Sequence, residues 1–155
     1  MHRGGDDPPA AALRAIRAWV RLEQAFAAFN RHLRATTGLT GAQLAMLRII
    51  AELAPVTLAE LRSRLVLHPA TLGQLVDRLE AKGMVTVAPD PADGRRRLVG
   101  PTGQGRRVLA AAPVAGPVRL RTVPAEQARL TGLADALDDA VELFGLRRWE
   151  EEATR

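Results

Sequence analysis

Apolar residues recur at alternating spacings of three and four between residues 13 and 33. The members of this stripe are Ile16, Trp19, Leu22, Phe26, Phe29 and Leu33. One narrow apolar face at this period predicts a long helix, which Thr36-Thr37-Gly38 ends. The stripe can pack against a second copy of the chain or against the chain's own core, and both interpretations stay open.

Two capping boxes predict where the next helices begin. Thr40-Gly-Ala-Gln43 precedes a helix that starts near Gly41 and stops before Pro55. Thr57-Leu-Ala-Glu60 precedes a short helix, Leu58–Leu65. In each box the threonine hydroxyl accepts the backbone N–H three residues on, and the glutamine or glutamate side chain bonds back to the threonine N–H.

A further helix is predicted from Pro69 to Lys82, with Gly83 after it. Its apolar side is formed by Leu72, Leu75, Val76 and Leu79. Its other side is small and polar, and consists of Ala70, Gly73, Gln74 and Asp77, flanked by Thr71 and Arg78. Such a face lets the backbone approach a major groove, where Gln74 can bond base edges. The helix N-terminus, preceded by His68, favours phosphate. An ordinary solvated helix face is the alternative.

Two short strands, Met84–Ala88 and Arg97–Pro101, are predicted to form a hairpin around a turn rich in proline, aspartate and glycine. Because Pro101 has no N–H to donate, we expect the second strand to be short or at a sheet edge. Arg95, Arg96 and Arg97 cluster beside the turn, and Asp93 is close enough to hold one guanidinium.

Arginine clusters of this kind suit a narrow minor groove, which concentrates negative potential. A solvated turn with a local aspartate–arginine pair is the alternative interpretation.

Further along, Thr102 is predicted to cap a fifth helix, and the break at 113–117 bends the chain. Past Pro124 a second apolar stripe predicts another helix: Leu130, Leu133, Leu137, Val141 and Phe144.

Composition narrows the class of protein. Aromatic residues make up 3% of the 155 residues and tyrosine is absent, so leucine, alanine and valine must form the core, which favours helices. The net charge of +5 suits an anionic partner. No stretch reaches the roughly 20 apolar residues of a membrane span. We therefore expect a cytoplasmic protein without membrane contact, whose residues 1–12 form a disordered lead.

The inventory of reactive groups indicates a protein that is not an enzyme. The chain has one serine, no cysteine, and histidines only at positions 2, 32 and 68. No nucleophile–base pair stands out, so we expect no catalytic residue and no cofactor. The acidic residues at 135, 138, 139 and 142 have helical spacing, but without a histidine beside them they predict a solvated face and no metal site.

Two segments carry a resemblance to a known family. Leu75-Val-Asp-Arg-Leu-Glu-Ala-Lys-Gly83 and Asp90-Pro-Ala-Asp-Gly-Arg95 resemble the MarR family of bacterial transcriptional regulators. The resemblance covers residues 13–150 and is strongest at 39–102. It implies a mainly α fold with a small β-hairpin wing: a winged helix-turn-helix domain plus N- and C-terminal dimerisation helices. It also implies that the helix from Pro69 enters the major groove and that Arg95 enters the minor groove.

The function implied by this resemblance is sequence-specific binding of double-stranded DNA. A homodimer would bind a pseudo-palindromic operator as a repressor, and a small, often aromatic ligand would relieve repression. Arg17, Arg21 and His32 on the first helix could meet a ligand carboxylate, although a solvated face is the alternative. A winged-helix module that contacts only proteins is the alternative function.

The expected organisation follows the predicted elements. After the lead 1–12 come an N-terminal dimerisation helix at 13–36, a DNA-binding region at 39–102, C-terminal dimerisation helices at 103–150 and a tail at 151–155. The chain departs from the family pattern in two places. Pro101 stands where the family usually has an apolar residue, and the break at 113–117 interrupts a helix that is usually continuous.

Overall fold

The computed structural model describes residues 8–65 and 69–153. Two compact units divide the chain after Gly41. The helices are α1 (Pro8–Thr37), α2 (Gly41–Leu53), α3 (Leu58–Leu65), α4 (Pro69–Ala81), α5 (Gly103–Ala111), α6 (Gln127–Leu143) and α7 (Arg147–Ala153). The strands are β1 (Val56–Thr57), β2 (Val85–Pro89) and β3 (Arg97–Pro101), and a 3-10 helix spans Pro117–Arg121.

Helix α1 begins earlier than predicted. Residues 8–12, expected to belong to a disordered lead, are helical, while residues 1–7 lie outside the described part of the chain. Proline is tolerated in the first turn of a helix because the N–H groups there have no acceptor within the helix, so its missing N–H costs no hydrogen bond. The alanines that follow are strong helix formers. The expected end is confirmed, since α1 stops at Thr37. The Asn30 side chain then accepts the Gly41 N–H at 2.8 Å.

The core of the second unit is aliphatic, as the composition predicted. Its buried side chains include Leu44, Leu47, Ile50, Val56, Leu61, Leu72, Val76, Leu79, Val85 and Val99. They come from α2, α3, α4 and all three strands. The apolar faces predicted for these helices are therefore the faces that the fold buries, and the polar side of α4 is left at the surface.

The sheet has three antiparallel strands in the order β1-β3-β2. Strand β1 was not predicted; its two residues pair with Leu98 and Val99. Our expectation that the second hairpin strand is short or lies at an edge is wrong, because β3 is the central strand and is as long as predicted. Pro101 fits because it ends the strand, opposite Val85, and the next residue supplies the donor: the Thr102 N–H bonds to the Met84 carbonyl at 3.0 Å.

Thr102 joins three elements at one point. Its hydroxyl donates to the Gly83 carbonyl at 2.6 Å and accepts the Gly105 N–H at 3.0 Å, which confirms it as the cap of α5. Gly105 lies directly on the Met84 backbone: a Cβ built there would be 2.2 Å from the Met84 carbonyl oxygen. The start of α5 is therefore fixed against the segment that connects α4 to β2. We call this contact, formed by Gly83, Met84, Thr102 and Gly105, the α4–α5 junction.

The predicted break is confirmed, since α5 ends at Ala111 and residues 112–116 are not helical. The 3-10 helix that follows is fastened to α2 by an ion pair of 2.6 Å between Arg121 and Glu52. Residues 151–153, expected to belong to a tail, continue α7. Glutamates and an alanine at these positions are good helix formers, so nothing ends the helix earlier. Of the helices described, none combines the length and the apolar character needed to cross a membrane.

Replacing Gly105 by alanine should destabilise the protein by about 1–3 kcal/mol, because the added methyl group has no room against the Met84 carbonyl. Gly103→Ala is the matched control. It lies in the same helical turn, where an added Cβ would meet only the end of the Arg107 side chain at 3.6 Å. Chemical denaturation should show Gly103→Ala equal to or more stable than the wild type. Equal stability of the two variants would contradict the close approach.

Candidate nucleic-acid interface

Helix α4 presents the small, polar face that the sequence predicted. Ala70, Thr71, Gln74, Asp77 and Arg78 are exposed and Gly73 is half-buried, whereas Leu72, Val76 and Leu79 are buried. Pro69 is the first helical residue, as expected, and His68 lies outside the described residues. An exposed face without bulky side chains can come close to a flat surface such as the floor of a major groove.

The C-terminal end of α4 is fixed by its own backbone. Gly83 has φ +69° and donates to the Glu80 carbonyl at 2.8 Å, and Met84 donates to the Leu79 carbonyl at 2.9 Å. This pair of bonds is the Schellman motif. The residue that follows the helix end, here Gly83, takes the left-handed backbone conformation, which glycine adopts most easily. The Glu80 side chain also accepts the Val87 N–H at 3.2 Å. Helix α4 is thus held directly to the first strand of the hairpin.

The hairpin tip, residues 90–96, is held by a network of short hydrogen bonds. Two of them use aspartate side chains: Asp90 accepts the Ala92 N–H at 2.9 Å, and Asp93 accepts the Arg95 N–H at 3.1 Å. The Asp90 N–H closes the tip on the Arg96 carbonyl at 2.9 Å. Our expectation that Asp93 holds a guanidinium is therefore corrected. A carboxylate on so short a side chain reaches the backbone two residues on, and this bond shapes the turn.

The three arginines beside the tip differ in what their side chains can do. Arg97 donates from its guanidinium to the Val87 carbonyl at 3.3 Å, so it lies back across the hairpin. Arg96 is close enough to Glu60 for its charge to act on that carboxylate. Arg95 is exposed at the tip, and its backbone N–H is the group that Asp93 binds. All three side chains are exposed, and in the described part of the chain Arg95 is the one that lies within the tip and has neither a carbonyl partner like that of Arg97 nor a charge interaction with Glu60 like that of Arg96.

Glu60 closes the predicted capping box of α3. Its carboxylate accepts both the N–H and the hydroxyl of Thr57 at 2.8 Å, and the Thr57 hydroxyl accepts the Glu60 N–H at 3.1 Å. These bonds lower the pKa of Glu60, first through the Thr57 N–H and then through its hydroxyl; the charges of Arg96 and Arg64 lower it further. The sequence showed the box, but only the fold brings Arg96 beside it.

The side chains proposed from the sequence for ligand binding all lie on α1. Arg17, Arg21 and His32 are exposed, and their positions place them on one side of the helix. A separate cavity of about 340 Å³ exists in the second unit, which the sequence did not indicate. Its lining consists of Ile49, Leu53, Arg64, Leu65 and Arg121. These residues come from α2, α3 and the 3-10 helix, which are distant in sequence.

Large apolar side chains remain exposed at both ends of the chain. On α1, Ile16 is 54% exposed and Trp19 44%; in the C-terminal stripe, Leu137 is 49% and Phe144 42% exposed. The two stripes that the sequence predicted are thus accessible over much of their length in the isolated chain. Exposed apolar side chains that share one helix face form a candidate interaction surface.

These elements define a class of protein. Helices α2, α3 and α4, followed by a three-stranded sheet whose β2–β3 hairpin forms a wing, are a winged helix-turn-helix. The fold is mostly helical, with long helices before and after this region in the sequence, as expected.

Comparisons with known proteins agree with this class. The sequence model of the MarR family matches residues 37–96. A probable transcriptional regulator from Pseudomonas aeruginosa is 30% identical, with 76% of this chain and 94% of that chain covered and a TM-score of 0.55. The chain belongs to the MarR family, whose members are transcription regulators. No curated protein matches it.

Two further structures are similar in fold at lower identity. A mutant of MarR from E. coli, complexed with operator DNA, is 24% identical, with 88% of this chain and 99% of that chain covered and a TM-score of 0.56. BpsR from Bordetella bronchiseptica, whose DNA binding is regulated by 6-hydroxynicotinic acid, is 22% identical, with 90% and 96% covered and a TM-score of 0.56.

Glu60→Gln should remove a pH-dependent part of the stability. Because the pKa of Glu60 is lowered by folding, its contribution is present above the unfolded value, near 4.5, and is lost as the pH falls through the lower folded value. The wild type should therefore be more stable than Glu60→Gln at neutral pH, and the difference should shrink below pH 4.5. Thermal unfolding at several pH values across this range measures the difference.

Glu23→Gln, which removes an exposed carboxylate on α1, controls for the loss of one charge. A difference independent of pH would contradict the assignment.

Proposed function

We propose that the protein is a transcriptional regulator that binds double-stranded DNA sequence-specifically. The observation that carries the proposal is the connection between helix α4, which presents the polar face, and the arginine-bearing wing: the Glu80 carboxylate accepts the Val87 N–H. A helix that reads a major groove and a tip that enters a minor groove must keep a fixed spacing, and this contact supplies it. The operator complex of a similarly folded MarR protein supports the same arrangement.

Different residues have different roles in this proposal. Gln74 bonds base edges, and the small side chains of Ala70 and Gly73 let α4 approach them. Thr71 and Arg78 at the flanks contact the phosphate backbone, together with His68 and Pro69 at the helix start. Arg95 enters the minor groove, and Asp93 orients it through the turn rather than through the guanidinium. Arg96 and Arg97 add positive charge beside the phosphates.

We propose further that the active form is a homodimer. The exposed apolar side chains of α1, α6 and α7 supply surfaces that a second copy would cover. Two copies related by a two-fold axis place two α4 helices in successive major grooves, so the operator is a pseudo-palindrome with half-sites about 10 bp apart. Such a dimer occupying a promoter acts as a repressor, and a small aromatic ligand relieves repression. The regulation of BpsR by 6-hydroxynicotinic acid supports the last step.

Arg95→Ala and Gln74→Ala should weaken DNA binding in different ways. Arg95→Ala removes a charged contact to the minor groove, so operator affinity should fall by about tenfold or more. Gln74→Ala should mainly relax sequence preference, seen as a smaller ratio between operator and scrambled duplex. Fluorescence anisotropy at two salt concentrations measures both the affinity and the sequence preference.

Arg106→Ala, which removes an exposed arginine from α5, should bind as the wild type does. Wild-type affinity of Arg95→Ala would refute the role of the wing, and no salt-dependent binding of any duplex would favour a protein-binding module.

Sedimentation at micromolar concentration should show a dimer. Trp19→Glu, which puts a charge into the exposed stripe of α1, should shift the protein toward monomer because an unpaired charge is costly in an apolar interface. Glu23→Ala, on the same helix, should leave the dimer intact. A monomeric wild type would overturn the proposal.

A further inference from the structure

We propose that the outer edge of strand β2 is a surface for self-association with the β2 strand of a second copy of the chain, and that Glu80 and Arg97 hold this edge closed. Strand β2 lies at one edge of the sheet, because the strand order is β1-β3-β2. An edge strand carries backbone N–H and C=O groups that can pair with another chain. This role of the two side chains does not rest on the DNA-binding function proposed above.

The hydrogen bonds of the hairpin show which groups of β2 point outward. Met84 and Asp90, just before and just after β2, both bond to the backbone opposite them. In an antiparallel pair, residues bonded to the partner strand alternate with residues whose backbone groups point away from it. Because positions 84 and 90 face β3, positions 86 and 88 face it as well. Val85, Val87 and Pro89 therefore direct their backbone groups toward the outer edge.

Each of the three outward positions is closed in a different way. At Val87, in the middle of the strand, the Glu80 carboxylate accepts the N–H at 3.2 Å and the Arg97 guanidinium donates to the carbonyl at 3.3 Å. Pro89 has no N–H to offer to an incoming strand. Val85 is 2% exposed, so an incoming strand cannot reach it. Two charged side chains thus occupy the donor and the acceptor of the one outward residue that strand addition could use in full.

The sequence of this strand explains why its edge needs closing. Residues 84–88, Met-Val-Thr-Val-Ala, carry no charge, and valine and threonine have a high β-propensity. Short uncharged segments of this composition pair with identical copies of themselves when their edge is exposed. Strand β1, at the other edge, has only two residues and continues directly into α3, so it offers little to a second chain.

The occupant that fits the opened edge is a second β2. Antiparallel pairing about a two-fold axis at Val87 places the N–H of each copy opposite the carbonyl of the other, so both outward groups of this residue find partners in one step. Pro89 keeps this contact short. Protection is therefore needed mainly at Val87, which is where the Glu80 and Arg97 side chains meet the strand.

Sedimentation equilibrium of the full chain over a range of concentrations tests this role. In the double variant Glu80→Ala/Arg97→Ala, the weight-average mass should rise to about twice that of the wild type or more as the concentration increases, because the uncovered edges pair. Glu80→Gln/Arg97→Lys is the matched control. Its amide oxygen still accepts the Val87 N–H and its ammonium group still donates to the carbonyl, so its mass should equal that of the wild type.

Adding Val87→Pro to the alanine pair separates edge pairing from a loss of structure. Proline removes the outward N–H, which is not part of the ladder with β3, so it blocks strand addition without costing a ladder bond. The triple variant should return to the wild-type mass, and circular dichroism melting checks that each variant is folded. The proposal would be overturned by a wild-type mass of the alanine pair at every concentration. Association that persists after Val87→Pro, or that adds no intermolecular β-sheet to the infrared spectrum, would overturn it as well.

Discussion

The α4–α5 junction is the constraint on which the rest of the DNA-binding region depends. The Met84 carbonyl accepts the Thr102 N–H and leaves no room for a side chain at position 105. The Thr102 hydroxyl bonds the Gly83 carbonyl and caps α5 at the same time. The end of α4, the base of the hairpin and the start of α5 are therefore set by one small group of backbone contacts. Any displacement of the first turn of α5 therefore has to move the end of α4 and the base of the hairpin as well.

The wing uses its charged residues in two distinct ways. Aspartates at positions 90 and 93 shape the turn through backbone N–H groups, and Arg97 bonds a carbonyl of β2. Arg95 keeps its charge for a partner in solvent. A tip whose shape rests on backbone bonds does not have to break an internal ion pair before it binds a phosphate-lined groove, so little binding free energy is spent on rearrangement.

Most of the helical fold could be predicted because each helix carries a local signal. Capping boxes, prolines and glycines marked the starts and ends of α2, α3 and α4, and apolar period marked their buried faces. Strand β1 had no such signal, because a strand of two residues is too short to show the alternation of apolar and polar positions. Its two residues are a strand only because they pair with β3. Residues 8–12 were misassigned because two prolines suggest disorder as readily as a helix start. The tail at 151–153 was misassigned for lack of a periodic stripe.

The candidate site was predictable in part for the same reason. The polar face of α4 follows from periodicity alone, and the wing from its arginines. The cavity could not be predicted, because Leu53 and Arg121 are brought together only by the way the chain folds back after its break. The nearness of Arg96 to Glu60 likewise depends on the pairing of β1 with β3. The predicted partner of the Asp93 carboxylate was wrong. Arg95 carries both a backbone N–H and a guanidinium, and the sequence alone does not show which of the two the carboxylate binds.

The pairing of Val56 with Val99 has a consequence for how the protein folds. These residues are more than forty positions apart, so their pairing closes a long loop that contains α3, α4 and strand β2. Contacts of such long range slow the search for the native state. Interrupting the chain between α3 and β3 would open this loop and weaken the pairing, whereas the Thr57 cap is local to α3 and does not depend on it. Because β3 pairs with both β1 and β2, the start of α3 and the wing should melt as a single cooperative unit.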